Sequence, residues 1–208
     1  MKRFLRFNHW NKNNNIIRKN KKTIGIAGVS SNYGVTHISI SLANFIHSVL
    51  KKNVTYIELR DRSDLIGVVG DKPINIGGIE GYRYKGVNYV CGCNIQTARE
   101  AMSQAKGWIV VDVSDIENET KAIFFQCETK IMIGSMQPWK RKYYYERLRT
   151  NDIRMNLSSI KFYDISKNKR KTREFSQITK QPLRILPYIE DPFSLKEKNF
   201  EALKEMIL

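Results

Sequence analysis

Short apolar runs alternate along this chain with segments whose apolar residues recur every three or four positions. The run KTIGIAG, Lys22–Gly28, reads as a strand closed by a glycine. Over residues 36–50 the apolar positions Ile38, Leu42, Phe45, Ile46 and Val49 form one helical stripe. NVTYIEL, residues 53–59, is short and β-branched and predicts a second strand. Residues 81–92 alternate about Lys85 and Gly86, the pattern of a hairpin. Residues 97–106 predict a helix stopped by Gly107. WIVVDVSD, Trp108–Asp115, is a continuous apolar strand that ends in acids. Beyond it, helices are expected over 119–127, 138–149 (opened by Pro138), 172–180 and 194–207, and strands over 130–135, 158–165 and 183–189. This alternation predicts one α/β domain over 23–208, with a mostly parallel sheet and helices on both faces.

Composition narrows the class. The chain has 208 residues, 41% of them hydrophobic, enough for one globular core. No apolar run approaches the length of a membrane-spanning helix, and the basic N-terminus lacks the apolar centre of a signal peptide. A cytoplasmic protein is expected, with peripheral contact at the inner face of the membrane as a variant of that placement. The three cysteines, Cys91, Cys93 and Cys127, do not make a disulfide framework. Cys91 and Cys93 fall on one face of a strand and read as small buried thiols. Together with the histidines they give no metal-ligand spacing.

The net charge of +16 attracts nucleic acid and anionic membranes, although a chain rich in Lys, Asn and Ile carries charge without function. Residues 1–22 hold eight Lys or Arg and no acid, and read as an appended basic tail. Its aromatic residues do not share a helical face, so an amphipathic anchor is not expected. Basic residues also gather at 140–154, beside Tyr143, Tyr144 and Tyr145, and in the run KNKRKTR, residues 167–173. These suit DNA phosphates, but no base-reading module accompanies them.

The chemistry-bearing feature is the turn GVSSNYGVTH after the first strand. A loop between a strand and a helix start can cradle phosphate with backbone N–H groups and the helix dipole. Ser30, Ser31, Asn32, Tyr33, Gly34, Val35, Thr36 and His37 would line such a pocket, with Gly34 allowing close approach and the Thr36 hydroxyl in reach of a magnesium ion. Asp112 and Glu58 end neighbouring predicted strands at the same edge.

These segments resemble the ParA/MinD family, P-loop NTPases with a deviant loop of the form K-G-G-x-G-K-[ST]. SSNYGVT (residues 30–36) aligns with that loop, TYIEL with the second strand and WIVVDVSD with the strand of the magnesium-associated aspartate. ILPYIEDPF is similar to a late proline-containing loop near the nucleotide base. The resemblance implies ATP or ADP with magnesium, held weakly or not at all. Ser30 to His37 and Pro187 would surround the nucleotide, and Thr36, Glu58 and Asp112 would lie at the metal. Both family lysines are replaced, the first by Ser30 and the second by Val35, and a further acid by Arg60. No hydrolysis is therefore expected, with Arg60 or Lys22 the candidate substitutes for the lost cation. Within the family the sequence looks closest to the degenerate TadZ/CpaE-like branch, which implies a localisation or assembly factor. Its partner would be a secretion or pilus-type assembly, with homodimerisation, the membrane surface or DNA as further partners.

Other readings compete. An active partitioning or positioning ATPase would need the missing cation supplied in space. A non-specific DNA binder rests on charge alone. A dinucleotide-binding reductase would need G-x-G-x-x-G, and Gly25, Gly28 and Gly34 have the wrong spacing, so Tyr163 and Lys167 pair by chance. Asp112 has an alternative role, bonding to backbone amides of the loop. Trp139 has two readings, stacking on a ligand or partner and, more commonly for an aromatic at a helix start, packing.

Overall fold

The computed structural model describes residues 20–117, 119–166 and 169–208. The basic tail thus falls outside the described residues up to residue 19, as does Lys167. Among the described residues nine strands form one sheet in the order β3-β4-β5-β2-β6-β1-β7-β8-β9. They are β1 Lys22–Gly28, β2 Val54–Leu59, β3 Pro73–Ile76, β4 Ile79–Tyr84, β5 Val87–Cys93, β6 Trp108–Asp115, β7 Thr129–Gly134, β8 Ile160–Asp164 and β9 Leu183–Ile185. From β5 to β9 every neighbouring pair is parallel, and β3, β4 and β5 pair antiparallel at one edge. The expected α/β domain with a mostly parallel sheet is therefore present.

The helices among the described residues are α1 Val35–Ser48, α2 Ile66–Val69, α3 Ile95–Gln104, α4 Thr120–Gln126, α5 Arg141–Arg149, α6 Asn151–Asn156, α7 Lys169–Thr179 and α8 Phe200–Ile207. α1 and α8 lie together on one face, and α3 and α4 on the other. Buried on both faces, β6 runs apolar without alternation, and Trp108 to Val113 are all buried. β1 lies between β6 and β7. The chain leaves β1 toward β2 on one side and builds β7 to β9 on the other. That reversal opens a crevice at the carboxyl ends of the central strands.

Turn chemistry explains the antiparallel edge. Lys85 and Gly86 both have positive φ, 46° and 83°, and join Tyr84 to Val87 in a two-residue hairpin. A side chain at Gly86 would also collide with the His47 ring. β3 was not expected from its short, Pro-led sequence.

Several boundaries differ from the sequence pattern. The helix expected from residue 138 begins at Arg141, because residues 137–140 form a turn in which Lys140 and Arg141 N–H both donate to the Gln137 carbonyl. Trp139 projects from that turn 67% exposed, so it does not pack as expected. The strand expected over 183–189 stops at Ile185, before Pro187, which has no N–H for a ladder. The last helix starts at Phe200 after a 3-10 turn at Glu197–Asn199.

The far side of the sheet is locked by aromatic rings. Tyr144 of α5, Phe162 of β8 and Phe175 of α7 stand with centroids 5.2–6.4 Å apart, and each ring is fully buried. The Tyr144 hydroxyl donates to the Tyr163 carbonyl. Phe175→Ala should cost about 3–5 kcal/mol of unfolding free energy, measured by urea denaturation.

Candidate functional site

The turn after β1 is shaped by close approach. A Cβ on Gly28 would stand 2.4 Å from the Ser30 carbonyl oxygen, so the chain folds back there only with glycine. Val29 N–H donates to Ile133 O at 2.8 Å, which ties the turn to β7. Asn32 and Gly34 take left-handed φ of 63° and 75°, and Gly34 caps α1 without any side-chain hydrogen bond. The first turn of α1 carries no acid. Backbone donors and the positive end of the helix dipole therefore sit at this point. Gly34, Asn32 and Ser31 are exposed, while Ser30, Thr36 and His37 are half-buried.

Two side chains of the loop turn inward. Tyr33 is buried, with the Lys140 ammonium 5.5 Å from its ring centroid. Val35 is 6% exposed, and its Cγ2 lies 3.3 Å from where a Gly28 Cβ would stand. The lysine position of the resembling loop is thus filled by an apolar contact inside the turn. The His37 ring donates from Nε2 to the Ile189 carbonyl at 2.8 Å. It fastens α1 to the loop after β9, where Pro187 is half-buried.

The acids at this edge are held from within. Asp112 is fully buried. Its Oδ2 accepts from the Tyr56 hydroxyl at 3.0 Å, and its Oδ1 accepts from Ser114 N–H at 2.9 Å and the Ser114 hydroxyl at 3.2 Å. These bonds take the place of the bonds to loop amides that were Asp112's alternative role, and the two from Ser114 follow from a bulge. The β1–β6 register slips between Ile26 and Ala27, and Ser114 takes φ 58°. Glu58 pairs in register with Asp112 and is 1% exposed. Burial lifts its carboxyl above the usual carboxylate range, Asp112 adds to the lift, and the Ser63 hydroxyl and Arg60 oppose it. Tyr56 lies beside both acids, and its phenol is raised well above its ordinary value by burial and then by Asp112 and Glu58.

The candidate replacement cations stand apart from the loop. Lys22 is buried at the start of β1, its ammonium bonded to the Ile207 carbonyl, at the opposite end of the strand from the turn. Arg60 is exposed. Besides Lys140, a cation that does reach the turn is Arg147 of α5, which the sequence placed only in a basic helix. Its Nη2 lies 3.3 Å from the Val29 carbonyl and 2.9 Å from Asp115 Oδ1, and its Nη1 lies 2.6 Å from the Ile116 carbonyl. Arg147 also lines a pocket of about 790 Å³ at the ends of β2, β5 and β6, with Arg60, Asn94, Asp115 and Lys121. The sequence signal for this clamp was weak, since Arg147 and Asp115 are far apart along the chain.

The cysteines read as expected in chemistry but not in placement. All three are free, and burial pushes the Cys91 and Cys93 thiols up to about 12. A bulge at Gly92, with φ 60°, breaks the alternation between them. Among the described residues there is no group of three His, Cys, Asp or Glu side chains able to hold a metal ion.

A glycine-closed turn from a central parallel strand into a helix, at the point where a doubly covered sheet reverses direction, is the layout of a P-loop NTPase-type fold. The fold is that of the ParA/MinD ATPases. The chain superposes on a ParA family ATPase from Chlorobium tepidum TLS with a TM-score of 0.61 and 11% identity, covering 89% of this chain and 88% of that one. It superposes on the MinC:MinD cell division protein complex of Aquifex aeolicus with a TM-score of 0.65 and 13% identity, covering 89% and 94%. A putative plasmid partition protein from Borrelia burgdorferi B31, bound to AMPPNP, gives 0.62 and 13%, covering 90% and 97%. No protein-family model matches the sequence. No curated protein matches it either.

The raised Glu58 carboxyl has a consequence for stability. Its folded-state value lies above its unfolded one, so its favourable contribution is complete below the unfolded carboxylate range and is lost as pH rises through the folded value. Glu58→Gln should therefore raise the midpoint of thermal unfolding at pH 8 and change it little at pH 4, followed by circular dichroism.

Proposed function

We propose that this chain is a degenerate ParA/MinD-like protein that binds ATP or ADP weakly, does not hydrolyse it, and serves as a localisation or assembly factor. The observation that carries this reading is Val35, buried against Gly28 at the position of the phosphate-binding lysine. An aliphatic side chain there offers no charge to a phosphate. Phosphoryl transfer relies on positioning and on neutralising developing charge, and this loop has lost its own mobile cations. The cations that touch the turn are already engaged, Arg147 with Asp115 and two carbonyls, and Lys140 over Tyr33.

The residues fit a phosphate better than they fit a metal. Backbone N–H groups of residues 30–36 and the uncapped start of α1 suit a phosphate. In this reading the Thr36 hydroxyl, Glu58 and Asp112 would be the residues at a magnesium ion. Both Asp112 oxygens, however, already accept hydrogen bonds from Tyr56 and Ser114. When bound, a nucleotide would supply triphosphate charge and stabilise the fold by mass action.

The partner in this reading is a protein of a secretion or pilus-type machine at the cytoplasmic face of the membrane. Among the described residues no helix is long and apolar enough to cross a membrane. Support for a protein partner comes from the fold neighbour solved as a MinC:MinD complex. A second reading, an active partitioning ATPase, draws on the neighbour bound to AMPPNP.

Titration calorimetry with ATP and magnesium, then with ADP, tests the proposal. The expected result is binding only at millimolar nucleotide, little changed by magnesium. Micromolar or tighter affinity that depends on magnesium would overturn it.

A further inference from the structure

The turn after β1 is flanked by two cavities, and Arg147 borders both. The smaller, of about 260 Å³, is lined by Val29, Ser30, Tyr143, Glu146, Arg147 and Thr150. The larger is the pocket of about 790 Å³ that Asp115 and Arg147 line together. Arg147 therefore stands between the turn and the end of β6, with open space on two sides.

Its bonds differ in kind. Nη2 donates to the Val29 carbonyl at 3.3 Å and Nη1 to the Ile116 carbonyl at 2.6 Å, both neutral acceptors. The bond to Asp115 Oδ1, at 2.9 Å, is the one to a charge. A guanidinium has five N–H donors, so these three bonds leave two for a further acceptor. The side chains of the pair are 23% and 29% exposed, so solvent reaches both partners and the pair can exchange. A phosphate group carries more charge than a carboxylate and accepts the guanidinium fork bidentately. An anion at the Ser30 side of the turn meets Arg147 as the cation in the cavity wall, with the exposed Glu146 as the acid.

We propose that Arg147 is the phosphate-binding cation of this chain and that Asp115 competes for it. A polyphosphate at the turn takes the guanidinium from Asp115, and that competition keeps the affinity low. Arg147 thereby stands in for the charge that Ser30 and Val35 do not carry. The inference rests on the reading of the turn as a weak phosphate site and adds what sets its affinity. It concerns binding and asks no hydrolysis of the loop.

Titration calorimetry of the full chain tests it, with ATP in one arm and inorganic tripolyphosphate in the other. Asp115→Asn keeps the shape and removes the competing charge, and should tighten binding of both probes about tenfold. Arg147→Ala should bring binding below detection at millimolar probe, with Arg147→Gln in its place if the alanine variant does not fold. The deciding comparison is the double variant. Removing Arg147 in the Asp115→Asn background should erase the gain, whereas a merely looser turn or a less negative surface would keep it. A gain from Asp115→Asn that persists without Arg147, or that appears with ATP and not with tripolyphosphate, overturns the proposal. If the parent binds and none of the variants changes its affinity, the turn remains a phosphate site and the role of Arg147 is wrong. If neither probe binds the parent or Asp115→Asn at millimolar concentration, both readings fall.

Discussion

The turn from β1 into α1 is closed by an apolar contact, Val35 against Gly28, and the carboxyl edge of the sheet is arranged around it. Gly28 is needed because the Ser30 carbonyl passes where its side chain would be. Val29 joins the turn to β7, and Arg147 joins it to the end of β6. A residue at the start of the helix that packs inward steadies this turn. The same residue cannot reach out to a triphosphate. Stability and phosphate chemistry compete for one position, and here stability has it.

The charges behind the turn follow the same logic. Glu58 and Asp112 stand in register on adjacent strands, both almost wholly buried. Burial disfavours the ionisation of Glu58, and the neighbouring Asp112 adds to that. Bonds from Ser63 and the Gly92 N–H to Glu58 offset part of that cost, and Tyr56 and Ser114 bond Asp112. Arg147, the cation at the edge, is neutralised by Asp115 in a half-buried ion pair. The edge holds its acids on the fold's own donors.

Much of the fold was legible because its signals are local. β1 and β6 have the bounds expected from their apolar runs, and the Lys85–Gly86 hairpin follows from the need for positive φ at both residues. The element order and the ParA/MinD resemblance rest on those runs. Edge elements were harder to read. β3 is a four-residue strand led by proline, and α6 follows α5 with only Thr150 between them. Neither has a period long enough to read.

The site was legible as a set of positions and illegible as a set of contacts. Sequence spacing put residues 30–37, Glu58 and Asp112 at one edge. It could not show that Val35 points inward, that a bulge at Ser114 turns its amide onto Asp112, or that Arg147 crosses from α5 to the turn. Each of these depends on register or on contacts between distant segments. Lys22 is the plainest case, since its closeness in sequence to the loop concealed a place at the far end of β1.

The central claim is that an apolar Val35 leaves the loop without the charge that phosphoryl transfer needs. Single-turnover hydrolysis of γ-labelled ATP, with protein in excess over nucleotide, tests it most directly. The account predicts no labelled phosphate above a protein-free control. Release that exceeds the control and disappears in Asp112→Ala would contradict it, and would mean that another cation does the work of the missing lysine.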